Sequence, residues 1–339
     1  MRKITLAMAI GLAVALSGQR VDAGPVLDGV KARGQVVCGL GAPTAGFMQV
    51  DRQGKWVGLA VDICRAVAVT ILRDANKVKY VSLAAAQRFP ALQAGEIDLL
   101  VSNSSYTLAR DAGQGLEFTG IYYYDGQGFL VKRSGAKTIK DLNRANICFQ
   151  SATTTEANLA DYFRGQKMRF TSFVFDRAEE AKAAFLAGRC EALTDDISAL
   201  HAALVGNAQH AKDYVVLGQA ISKEPFSPAV RQGDDQFADI VRWTLFAMIE
   251  AEEYGITSKN VDEMLKSSHP TIKSILGVTP GMGKALGVDD KWVYDIVRQV
   301  GNYGESYDRN LGDGSPLKIP RSLNALRTKA GILYVPPIR

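Results

Sequence analysis

Three clusters of residues in this chain have the composition needed for polar recognition. In Thr107-Leu108-Ala109-Arg110-Asp111, just beyond a short apolar strand, the guanidinium of Arg110 can hold a carboxylate through two parallel hydrogen bonds. A surface salt bridge would use the same residue. In Ser151-Ala152-Thr153-Thr154-Thr155-Glu156 a strand ends and a helix opens, so free backbone N–H groups, hydroxyls and the helix dipole favour an anion. A plain capping box from Thr153 to Glu156 accounts for that pattern equally well. The third cluster is Asp195-Asp196, where a carboxylate at a strand end can accept from an ammonium or simply cap the helix that follows. An Arg, a hydroxyl-bearing helix start and an acid together complement a free α-amino acid zwitterion.

Signatures of covalent or metal chemistry are missing, so the expectation is a protein that is not an enzyme, with no catalytic residue, metal or cofactor. There is no GxSxG, HExxH or CxxC, and His201, His210 and His269 lack metal-ligand spacing. GMGKALG from Gly281 fails the phosphate-loop pattern, with Val278 in place of its first Gly and Ala285 where Ser or Thr should follow Lys284. Gly39-Leu40-Gly41 follows a strand but opens no helix. Both read as turns.

The elements that position these clusters repeat. Ala91 to Asn103 reads ALQAGEIDLLVSN and Ala184 to Asp196 reads AFLAGRCEALTDD. Each is an Ala-rich helical run stopped at a Gly (Gly95, Gly188), then an acid and a short apolar strand that breaks into polar residues. Upstream, QVVCGLGAPT from Gln35 lines up with ANICFQSATT from Ala145, which sets Cys38 against Cys148. The βα alternation predicts two α/β lobes, and ligands of open α/β sheets bind beyond the carboxyl ends of the strands. The extended stretch Phe118 to Arg133 leads from the first βα series to the second, and a β-like stretch at Ala229 to Arg231 leads back. Two crossings make a hinge. The expected division is a first lobe over 24–131, an inserted second lobe over 132–225, and a return to the first lobe over 226–339 with a helical tail.

Composition bounds the rest. With 339 residues and 47% hydrophobic content, the chain can bury two cores. The charge of +5 is small and no basic cluster is interleaved with aromatics, so no nucleic-acid partner is expected. Arg2 and Lys3, the apolar run Ile4 to Leu16 and Val21-Asp22-Ala23 read as a signal peptide over 1–23, cleaved near Ala23 to leave a periplasmic protein. In an oxidising compartment the four cysteines can pair in three ways or stay as buried thiols. Bridges between lobes would hamper cleft motion, so Cys38–Cys64 and Cys148–Cys190 are favoured.

The stretches VKARGQVVCG, RFPALQAGEIDLL, YYYDGQGF, TTTEANLADYF, ISKEPFSPAVRQGDDQFADIVRWTLFAMI and GNYGESYDRNLG resemble the periplasmic solute-binding proteins of polar amino-acid ABC transporters. They are most similar to the long-tailed general L-amino-acid group of family 3. The resemblance covers essentially the whole mature chain. It implies a type II, two-lobe periplasmic-binding-protein fold joined by two hinge strands, a monomer that closes on one amino acid and delivers it to an inner-membrane permease. It implies that Arg110 binds the ligand carboxylate, that Asp196 holds the amino group, and that Thr153 and Thr154 form the second lobe's carboxylate clamp. Asn103 and Ser105 match first-lobe pocket positions, and Tyr106 and Phe47 fall near pocket-wall aromatics. The four cysteine positions match as well, which supports pairing within lobes. Departures lie close to the pocket: Ser102 stands where the group has Arg, Tyr106 replaces Trp, Ala152 replaces Gly, and Ala60 replaces Asp. They leave open a changed ligand, such as another small carboxylate feeding a sensor, or a dehydratase-like enzyme on the same fold.

Overall fold

The computed structural model describes residues 24–206 and 211–339, so the expected signal peptide, its expected cleavage site and His210 lie outside the described residues. Before the first crossing come β1 (Val36–Leu40), the hairpin β2 (Gln49–Val50) and β3 (Trp56–Val57), β4 (Val78–Ser82), β5 (Leu99–Leu100) and β6 (Leu116–Phe118). The crossing is β7 (Tyr123–Asp125), followed by β8 (Gln127–Lys132), β9 (Asn146–Gln150), β10 (Thr171–Phe175), β11 (Ala192–Asp196) and β12 (Tyr214–Val216). The chain returns through β13 (Glu224–Phe226) into β14 (Ala229–Arg231).

Two five-stranded sheets result, β4-β1-β5-β14-β6 and β10-β9-β11-β8-β12, and they share one topology. In each, three parallel strands from a βαβ series meet a fourth, antiparallel strand that the chain enters directly after crossing the hinge. β8 therefore belongs to the second sheet through its pairing with β11 and β12. This corrects the expected lobe boundary: the chain leaves the first lobe at the hinge, near Gly126, and not after Val131. The hinge is an antiparallel ribbon in which Tyr123 pairs with Phe226 and Asp125 with Glu224.

The doubled module is real, but its upstream register is shifted. Cys38 pairs with Leu99, and the counterpart of Leu99 in the second copy, Ala192, pairs with Ile147. Cys38 is thus equivalent to Ile147, and Cys148 to Gly39. A one-residue slip along a strand moves a side chain to the opposite face. Both expected disulfides form, Cys38–Cys64 and Cys148–Cys190, but on opposite faces of their sheets. The first ties its strand to the helix Leu59–Leu72. The second lies on the side of the helix Ala178–Leu186, where the first lobe has Gly39 against Ile97.

The helix Leu59–Leu72 is the centre of the larger core, buried along most of its length between the first sheet and the helices Asp235–Glu253 and Trp292–Gln299. Asp234 organises that side of the lobe with one carboxylate. Its oxygens accept from Phe237 N at the start of the long helix and from Val26 N and Leu27 N at the start of the helix Pro25–Arg33. Three otherwise free backbone donors from two helix starts thereby meet one acceptor group of matching sign.

Candidate functional site

Each lobe presents the ends of its strands to the other. In the first lobe the loop after β5 carries Ser102 to Ser105, held by Tyr122 Oη, which donates to Ser102 O at 2.9 Å, and by Tyr106 N, which donates to Pro225 O of the hinge at 2.8 Å. Thr107 caps the short helix Leu108–Asp111, which sets Arg110 over the Phe89 ring with its Nη1 donating to Ser105 O at 3.0 Å. In the second lobe Thr153 caps the helix Thr154–Gly165, and Ala152 before it adopts a left-handed φ of 58°. β11 ends in Asp195 and Asp196.

Between them is a cavity of about 20 Å³ lined by Arg88, Asn103 and Arg110 of the first lobe and by Ala152 to Thr155, Asp195 and Asp196 of the second. That is room for about one water, so a larger ligand enters only when the lobes separate. Polar bonds hold the lobes together across the gap. Asn103 Nδ2 donates to Asp196 Oδ2 at 3.1 Å. Glu224, on the hinge strand β13, accepts from Ser105 of the first lobe, from Thr154 Oγ1 at 2.9 Å and Asn158 Nδ2 at 2.6 Å of the second, and from Ser222 Oγ at 2.7 Å.

Burial dominates the electrostatics. It pushes the Asp196 carboxyl well above the usual range, with Asp195, Asp125 and Glu224 adding repulsion, while Asp125 and Asp195 are each pushed up to about 6. Burial also lowers both arginines, Arg88 to about 10 with the neighbouring Arg110 contributing. Among the described residues no group of three or more His, Cys, Asp or Glu could hold a metal ion.

The sequence-selected residues divide. Arg110, Asp196, Thr153, Thr154 and Asn103 come together at the cavity. Ser105 stands beside it, its hydroxyl committed to Glu224. Phe47 does not reach it: the loop after β1 folds the ring under the hinge, edge-on to Tyr123 at 5.0 Å and Phe226 at 6.0 Å. Tyr106 turns to the outer side of the lobe, stacked on Phe118 at 4.9 Å, because successive residues of an extended segment point to opposite sides and Ser105 takes the inner one. Two residues of the site escaped the sequence reading. Glu224 is locally indistinguishable from a surface acid between Lys223 and Pro225. Arg88 carried a signal, since a cation in a first helical turn opposes the dipole and its counterpart in the second copy is the buried Ala181.

Residues 36–260 match the bacterial extracellular solute-binding proteins, family 3. The chain belongs to that family. At 46% identity over the full length of both chains it is similar to the general L-amino acid-binding periplasmic protein AapJ of Rhizobium johnstonii and to the putative amino-acid ABC transporter-binding protein YhdW of Escherichia coli K12. The glutamate/glutamine/aspartate/asparagine-binding protein BztA of Rhodobacter capsulatus is 42% identical, again over both full lengths. Among solved structures, a Brucella ovis ABC transporter periplasmic binding protein with glutathione bound superimposes with a TM-score of 0.90 at 49% identity, over 92% of this chain and 99% of that one. The two-lobe fold is therefore the type II periplasmic-binding-protein fold of family 3, and the relatives are named as transporter-binding proteins, not as enzymes.

Proposed function

We propose that this chain is an exported receptor that captures a free amino acid between its lobes and hands it to an inner-membrane ABC permease, as the names of its full-length relatives suggest. The observation that carries the proposal is the convergence on one cavity of Arg110 from the first lobe with Asp196 and a helix N-terminus from the second. In this reading the ligand carboxylate pairs with Arg110 and meets the free N–H of Thr154 at the helix start that Thr153 caps, while its ammonium takes Asp196. The groups lie on different lobes, so one small zwitterion satisfies them together only in the closed arrangement, which binding then selects. Asn103 hands Asp196 over to the ligand, and Thr153 and Ser105 shape the loops that present the backbone.

The test is calorimetry on the purified mature protein against the common amino acids, preceded by a thermal-shift screen, since a ligand that binds only the folded state raises its melting temperature. Arg110→Ala and Asp196→Ala are each expected to lower affinity by at least about a hundredfold, the loss of one buried charge-assisted contact with its partner left unpaired. Unchanged affinity in either variant removes the assigned pocket. N-terminal sequencing of the periplasmic fraction checks the export step, with a mature start near Gly24 as the expected result.

A further inference from the structure

We propose that Arg88 is a second anion-binding residue of this cleft and that the ligand is a dicarboxylic amino acid whose distal carboxylate docks on the Arg88 guanidinium. The inference rests on the amino-acid reading above and adds the side-chain class.

Arg88 is only 8% exposed, yet its guanidinium forms no hydrogen bond with any described residue, and its Nε is fully buried without a partner. A buried guanidinium without a hydrogen-bonded anion is costly, and evolution retains such a group where something else completes it. The side chain lines the same cavity as Arg110 and Asp196. The acids nearby do not complete it. Asp196 accepts from Asn103, Asp195 from its neighbour's amide, Asp125 from the amides of Gly126 and Ser198, and Glu224 from four side chains. Asp195 and Asp196 attract Arg88 only through space.

The geometry also answers the substitution at position 102. A Cβ added to Gly41 would lie 2.6 Å from Arg88 Nη2 and 2.7 Å from Ser102 Oγ, so the Arg88 head occupies the ground beside Ser102. The small side chains at 41 and 102 leave it that space. The cation absent from position 102 is thus supplied from the start of the helix Arg88–Gln93. Arg110, in contrast, is already oriented by Ser105 O, and the two like-charged heads are accommodated best when each has its own anion. The lining offers two guanidiniums for two ligand carboxylates and Asp196, the carboxyl bonded across the cleft, for one ammonium, while Asp195, the second carboxyl of the lining, is engaged by the Asp196 amide.

The experiment is calorimetry with L-glutamate, L-aspartate, L-glutamine, L-asparagine and L-alanine on the mature wild-type protein and on Arg88→Met. The wild type is expected to bind at least one acid about tenfold or more tighter than its amide, the size of one charge-assisted bond. In Arg88→Met that preference disappears, the loss for the acid exceeding the loss for L-alanine by about tenfold or more, and the ligand-free variant melts no lower than the wild type, because no side-chain hydrogen bond within the protein is lost. Wild-type preference for neutral ligands, or an equal loss for acids and neutral ligands in the variant, overturns the inference. If the wild type binds no amino acid, the receptor reading itself fails, and glutarate carries the remaining test. Glutarate binding that Arg88→Met abolishes keeps the second anion site, and no glutarate binding removes it too.

Discussion

At the scale of single residues, Asp196 is held in a position that favours its proton. Burial and three neighbouring carboxyl groups raise it in the closed, ligand-free cleft. In the proposed pose an ammonium at the same place reverses the preference, so amino-acid binding is expected to expel a proton from Asp196. Affinity is therefore expected to fall as pH drops below the raised Asp196 value, and titrations in buffers of differing ionisation enthalpy should show net proton release. The stability of the ligand-free protein has the opposite dependence. A carboxyl whose folded pKa lies above its unfolded value binds more protons in the folded state, so stability is present at low pH and is lost as pH rises through the folded value. Asp125 and Asp195, both pushed up to about 6, and Glu250, pushed by burial to about 7, place that loss between about pH 4 and pH 7. Melting curves across that range check it: ligand-free protein should lose stability toward neutrality, and saturating ligand should flatten the slope by taking over Asp196.

At the scale of elements, the two lobes solve the same packing problem differently. Where the second lobe joins Cys148 to Cys190, the first sets Gly39 beneath Ile97, and a Cβ on Gly39 would come within 2.4 Å of Ile97 Cδ1 and 3.2 Å of Leu83 Cδ1. Gly39→Ala is thus expected to destabilise by roughly 1–3 kcal/mol, as overpacking of a filled core does, measured by urea unfolding. Methyl-level tolerance there would show that the sheet face is looser than the contacts indicate. The same pair of strands shows what the sequence could reveal. Helix, Gly stop and strand repeat in composition and were legible, as were the cysteine pairs and the first crossing; the return runs through Glu224–Phe226, ahead of the expected Ala229 to Arg231 stretch, which is a strand of the first sheet. The register of β1 against β9 was not, because matching the cysteines is a composition argument, whereas the face of a strand is set by its neighbours' hydrogen bonds. Arg110, Asp196, Thr153 and Thr154 could be expected at the cavity they line because they sit at strand ends and helix starts, where local chemistry marks them. Phe47 and Tyr106 were misplaced because no local pattern says whether an aromatic side chain turns toward a cleft or beneath it.

At the scale of the molecule, the segment beyond the family match, from 261 onward, is joined to the hinge ribbon. Tyr303 Oη donates to Tyr122 O at 2.7 Å, the Tyr307 ring stacks on Tyr123 at 6.3 Å, and Asn324 binds Tyr124 twice, accepting from its N at 2.7 Å and donating to its O at 3.0 Å. Three consecutive residues entering and forming β7 are gripped from the tail side, while β13 pairs on the other edge. Arg321 fastens the tail in turn, between Glu252 at 3.0 Å and the faces of Tyr303 and Tyr307. A side-chain amide that satisfies both backbone groups of Tyr124 acts as a one-residue extra strand, so the hinge ribbon has an occupied edge. Asn324→Ala removes both bonds and leaves the two groups without their partner, at a cost of about 1–3 kcal/mol each where they stay dry. The expected outcome is faster amide exchange at Tyr124 in the peptide spanning residues 120 to 128, a lower melting temperature, and faster ligand release, since the strand about which the lobes turn has lost one of its supports. Exchange at Tyr124 that matches the wild type would show that the tail only covers the first lobe and has no grip on the hinge.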